Sequence, residues 1–183
     1  MVQTAEGAAN EVSNILKRMR ELAVQSSSDT LDNTSRGYAD TEYKELAAEI
    51  TRIADTTEFN GQKLTNNTNK LNVQVGLHGG TDDRIEIQLA SFKGLGLTAD
   101  ISSAANGRTA LGTSDTALDT INSQRSTFGS VQNRLESALS NIETYTENLA
   151  ASASRIRDAD FAYETAELSK YQIMQQALSL IHI

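Results

Sequence analysis

His78 and His182 are the only two side chains in this chain whose ordinary pKa lies close to neutrality. Neither falls in an H-E-x-x-H or E-x-x-H arrangement, so the spacing of a helix-borne zinc site is missing. The complete lack of Cys removes thiolate nucleophiles, disulfides and Cys-ligated zinc together. Asp158 and Asp160 stand close in sequence, but with no third ligand and no nearby His they read as solvated charge at a helix junction. Gly94-Leu95-Gly96 lacks the third glycine and the following helix start that a phosphate loop requires. No reaction centre, cofactor site or metal site emerges from these residues, and an enzyme is not expected.

The remaining cluster with chemical potential is basic: Lys17, Arg18 and Arg20. It has no interleaved aromatics, and the chain as a whole carries a formal charge of -8. Both facts argue against nucleic acid and against an anionic membrane surface. No 18-residue apolar run exists, and the first thirty residues lack the basic start and apolar stretch of a secretory signal peptide. A protein partner is the expectation, and export, if it occurs, is expected by a route other than the ordinary signal peptide.

The elements that must present these residues are mostly helical. Pro is absent, where average usage near 5% would supply about nine, and Pro is what helix interiors exclude. Aromatics make up only 5% of residues, as expected of thin seams between helices. Val12, Ile15, Leu16, Met19, Leu22 and Ala23 mark one face of a first helix, placed at about 5–28. Tyr43, Leu46, Ala47, Ile50, Ile53 and Ala54 mark a second, at about 33–57, which the Phe59-Asn60-Gly61 turn ends. Strand alternation follows: Leu71, Val73 and Val75, then Ile85, Ile87 and Leu89, joined through His78-Gly79-Gly80-Thr81-Asp82-Asp83, give a β-hairpin at about 71–89. Residues 90–114, rich in Gly, Ser, Thr and Ala, read as a linker, with a cap at Ser114 or Asp115 opening a last helix at about 115–157.

In that helix Ile121, Phe128, Leu135, Ile142, Leu149 and Ile156 recur at heptad spacing, a coiled-coil-like core seam of about five heptads. Such a helix is about 64 Å long at ~1.5 Å per residue. The two shorter helices are its expected partners, because most helical stability comes from packing an apolar face. The fold class is therefore mainly α: an elongated antiparallel helical bundle or coiled-coil-like rod of two shorter helices and one long one, with a small β-hairpin.

Two regions, one toward each end of the sequence, carry a family resemblance. Gln3-Thr4-Ala5-Glu6-Gly7-Ala8 with Lys17-Arg18-Met19-Arg20-Glu21-Leu22-Ala23-Val24-Gln25-Ser26 resembles the amino-terminal signature of bacterial flagellins, and Phe59-Asn60-Gly61 stands at the family's distance from it. Ser126-Thr127-Phe128-Gly129-Ser130-Val131-Gln132-Asn133-Arg134 and Ser154-Arg155-Ile156-Arg157-Asp158-Ala159-Asp160-Phe161-Ala162 are similar to the carboxy-terminal signature. The resemblance implies a structural subunit of the flagellar filament, extracellular, exported by the flagellar secretion apparatus with an export chaperone, and polymerising with other flagellin subunits. It implies an inner-core domain over residues 1–157, with 158–183 starting a truncated carboxy-terminal segment. The terminal filament-core segments and the variable outer domains look missing, and Ala177-Leu178-Ser179-Leu180-Ile181-His182-Ile183 does not continue the family pattern after Gln175-Gln176. The resemblance further implies that Lys17, Arg18, Arg20, Glu21, Leu22, Gln25 and Glu42 face the neighbouring protofilament and the flagellin-sensing Toll-like receptor of vertebrates. Arg18, Leu22 and Glu42 match the positions that carry receptor binding, while Leu22 on its own pattern reads equally as core. The alternatives are a hook-filament junction protein, which shares the amino-terminal signature, and a non-filament helical binding module.

Overall fold

A computed structural model describes residues 1–97, 100–157 and 161–181. In chain order these form α1 (Val2–Ser27), α2 (Asn33–Thr56), β1 (Glu58–Phe59), β2 (Gln62–Lys63), β3 (Lys70–Gln74), β4 (Arg84–Gln88), a single 3-10 turn at Phe92–Gly94, α3 (Ala104–Arg157) and α4 (Phe161–Ile181). Contacts divide the chain into a unit spanning Met1–Leu139 and a second spanning Ser140–Ile183.

In the first unit, α1 buries Ala5, Ala9, Val12, Leu16, Met19, Ala23 and Ser26. These positions alternate steps of four and three, the pattern that keeps one edge of a helix turned toward a partner. The edge of α3 follows the same rule through Gly107, Ala110, Ser114, Ala117, Ile121, Phe128 and Val131. The two edges run antiparallel: Gly107 lies against the Ser26–Ser27 backbone, and Arg20 pairs with Asp115. From α2, Tyr43, Ile50 and Ala54 close the first core, which also takes in Phe92 and Ile101. A second core gathers Val2, Ala5, Phe128 and Val131 with Leu64 and with Ile85, Ile87 and Leu89 of the hairpin arm. There β3 and β4 pair antiparallel, Leu71 opposite Ile87 and Val73 opposite Ile85, which puts their apolar set on one face as the period of two requires.

Helix ends are fixed by side chains. Asp32 caps α2, its carboxylate accepting the Thr34 and Ser35 N–H groups at 3.1 and 3.2 Å. Buried Arg36 ties off the end of α1, donating to the carbonyls of Ser26 at 3.1 Å and Ser28 at 2.7 Å. Asp40 accepts the Ile101 N–H at 2.8 Å and holds the approach to α3 against α2.

Two expectations need correction. The last helix begins at Ala104, not at Asp115, so the supposed linker 90–114 is helical over its final part. Ser103 opens α3, its hydroxyl accepting the Asn106 N–H and its carbonyl the Gly107 N–H. Small residues hold that extension in place: a Cβ built on Gly107 would stand 2.8 Å from the Ser27 nitrogen, so only glycine lets the two backbones approach so closely. The heptad seam is the second correction. Ile121 and Phe128 are fully buried and Leu135 is partly buried, but Ile142, Leu149 and Ile156 are exposed by 43%, 51% and 85%. The burying partners of the stripe in the first unit, the start of α1 and the hairpin, are met by Phe128 to Ala138. Beyond that point the heptads continue on α3 without cover.

The second unit comprises the rest of α3 and α4. Its apolar side chains Tyr145, Leu149, Tyr163, Leu168, Tyr171 and Ile173 are all exposed. Asp158, Asp160 and His182 lie outside the described residues.

Candidate interaction surface

The residues singled out on α1 divide according to their place on the helix. Lys17, Arg18, Arg20, Glu21 and Gln25 are exposed, as is Glu42 on α2. Leu22 is not: at 3% exposure it belongs to the first core, beside Met19 and Ala23. A position one turn from Arg18 thus faces inward, because the apolar edge of α1 is wide enough to include it. Leu22 as an exposed anchor is withdrawn in favour of its core reading.

Arg18 is the centre of what remains. Its Nε donates to Glu42 Oε1 at 2.8 Å, Nη2 stands 2.8 Å from the same oxygen, and Nη1 donates to Glu21 Oε2 at 3.3 Å. The cluster joins α1 to α2 across their exposed seam. The hydrogen bond with Glu42, followed by that with Glu21, raises the Arg18 pKa further above its ordinary value, and a guanidinium is charged at any physiological pH. Arg20 makes a parallel tie, from its Nε to Asp115 Oδ1 at 2.6 Å, and that bond raises its pKa in turn. Solvent screens all of these groups, so the pairs orient side chains more than they stabilise the fold. An arginine pre-aligned by carboxylates, on a rigid two-helix face, suits recognition by another protein.

Among the described residues nothing comparable to a reaction centre accompanies it. Among the described residues no three His, Cys, Asp or Glu side chains stand close enough to hold a metal ion. His78 lies 88% exposed in the hairpin loop, 3.8 Å from Asp83. No helix among the described residues is long and apolar enough to cross a membrane.

Comparison with known proteins shows the family of the chain. The family profile of the bacterial flagellin N-terminal helical region matches residues 1–70, and that of the flagellin C-terminal helical region matches residues 111–181. A flagellin of Halalkalibacterium halodurans is 40% identical over 97% of this chain and 66% of its own length. The flagellin of Bacillus subtilis is 35% identical over 97% of this chain and 70% of its own length.

The chain belongs to the bacterial flagellin family.

Flagellins are structural proteins and not enzymes. The crystal structure of Bacillus cereus flagellin superimposes with a TM-score of 0.69 at 33% identity, over 83% of this chain and 89% of that one. This chain spans about two thirds of the length of the H. halodurans flagellin. The carboxy-terminal match runs through Ile181, past the break expected after Gln175-Gln176, and α4 likewise continues to Ile181.

Sequence reasoning missed Arg36, whose burial and double carbonyl contact make it a structural clamp. It also missed the small-residue stretch that opens α3. An Arg four residues after the Asp32 cap signal gave a hint of the first, and Ser102-Ser103 ahead of Ala104-Ala105 gave a hint of the second.

Proposed function

We propose that this flagellin is a structural subunit of the flagellar filament, acting through assembly with copies of itself. The observation that carries this reading is the pair of family matches at both ends of one chain, in flagellin order. A hook-filament junction protein is the weaker alternative, since the carboxy-terminal match is to a flagellin region. In this reading the Lys17–Gln25 face of α1 meets the neighbouring protofilament. The β3–β4 hairpin lies in the axial contact, and the subunit reaches the cell exterior through the flagellar secretion apparatus with a chaperone's help. Restoring swimming and visible filaments to a flagellin-deleted host by the gene carrying this chain is the expected result. A host that secretes the protein yet builds no filament contradicts it.

A finer reading concerns a vertebrate partner. The exposed Arg18–Glu42 pair supports recognition by the flagellin-sensing Toll-like receptor, with Arg18 and Glu42 offering a cation and a carboxylate at the centre of the contact. Leu22 contributes by holding α1 in place from within. Arg18→Ala or Glu42→Ala is expected to reduce receptor signalling at least tenfold while helicity and melting temperature stay as in the parent. Equal signalling by parent and variants removes the assignment.

A further inference from the structure

The chain contains two Asn-Gly pairs, Asn60-Gly61 and Asn106-Gly107, and the fold treats them in opposite ways. An Asn side chain reacts with the backbone nitrogen that follows it fastest when that nitrogen is unengaged and the residue after Asn carries no obstructing side chain. Asn60-Gly61 forms the two-residue loop between β1 and β2, with Asn60 at φ 51° and Gly61 at φ 76°. Both residues are exposed, and nothing lies within 4 Å of a Cβ built on Gly61. The Gly61 N–H has no acceptor among the described residues. Only two residues of strand flank the loop on each side, so local opening requires little.

Asn106-Gly107 is locked. The Gly107 N–H donates to the Ser103 carbonyl at 2.9 Å, and the Asn106 side-chain amide donates to the Asp100 carboxylate. Gly107 itself is pressed against the Ser26–Ser27 backbone.

We propose that Asn60 is a site of spontaneous, site-selective deamidation in the folded protein, and that Asn106 is protected from the same reaction by the hydrogen bonds that open α3 and by the packing of Gly107 on α1. The Gly61 nitrogen attacks the Asn60 Cγ; the new N–C bond closes a five-membered imide as the Cγ–Nδ2 bond breaks and ammonia departs with the proton from Gly61. Water then adds to one of the two imide carbonyls. Opening at Cγ yields aspartate, and opening at the main-chain carbonyl yields isoaspartate, with the backbone rerouted through the side chain. No oxidant or reductant takes part. Either product adds a negative charge to the loop that carries the Glu58–Lys63 ion pair.

The test is to age the native protein at mildly alkaline pH and to follow both asparagines by peptide mapping and mass spectrometry, with a urea-unfolded sample alongside. Asn60 is expected to convert at least tenfold faster than Asn106 in the native protein, and the two are expected to converge on unfolding. Native conversion of Asn60 no faster than that of Asn106 overturns the proposal. Labelling of the aged protein by an isoaspartyl methyltransferase is expected to disappear in Asn60→Ala, a variant of an exposed loop residue. Labelling that persists in Asn60→Ala overturns the proposal as well.

Discussion

Arg18 and Leu22 stand one helical turn apart and do different work. Arg18 lies half exposed and organises two carboxylates, whereas Leu22 fills the core between helices. Leu22→Ala is therefore expected to cost roughly 2 to 5 kcal/mol through lost burial and the cavity left behind. Chemical denaturation measures this, and a midpoint equal to that of the parent would mean Leu22 is not packed as described. Glycines divide in the same way. Gly112 sits exposed in α3 with nothing within 4 Å of an added Cβ, so Gly112→Ala is expected to stabilise by up to about 1 kcal/mol through helix propensity. Gly107→Ala forces a methyl group into the Ser27 backbone and is expected to lower the melting temperature despite the same propensity gain. Two variants shifting in the same direction would contradict the close α1–α3 approach.

At the scale of elements, what was legible in the sequence depended on residue size. The large apolar residues Val12, Leu16 and Met19 on α1, Tyr43 and Ile50 on α2, and Ile121 and Phe128 on α3 announce their faces by period, and each is buried. The first turns of α3 bury Gly107, Ala110 and Ser114, whose types carry little hydrophobic signal and read as linker. What holds them helical is contact with α1, a tertiary effect that no local window contains. The reverse failure occurs at Ile142, Leu149 and Ile156, where a sound heptad pattern has no burying partner and the side chains stay exposed. Phe128→Ala is thus expected to destabilise by about 3 to 5 kcal/mol and Leu149→Ala by less than about 1 kcal/mol. Thermal or denaturant unfolding separates the two, and equal losses would place Leu149 in the same core.

The capped helix starts also set an acid limit. Hydrogen bonds from Ser35 and Thr34 to Asp32, and from Asn106 and Ser102 to Asp100, hold both carboxyls below the usual carboxylate range. A pKa depressed by folding adds stability above the unfolded value of about 4, and that stability is lost as pH falls through the folded value. Melting temperature is expected to fall as pH drops below about 4. Asp32→Asn keeps a good N-cap without a titrating group, so it is expected to melt like the parent at neutral pH and to show a shallower acid dependence. An unchanged acid profile in Asp32→Asn would remove the cap from this explanation.

At the scale of the whole molecule, helix dominates and chemistry is sparse: α-helices take up most of the described residues, and no metal cluster occurs among them. Circular dichroism is expected to report well over half helix, and a value near the globular average of about a third contradicts the fold. Family membership supports the central proposal, that the protein builds the filament along its length. Immunogold electron microscopy of flagella from the bacterium that makes it, with an antibody raised against this chain, tests that claim most directly. Gold is expected along the full length of the filament, and gold confined to the hook junction or to the cell body contradicts it.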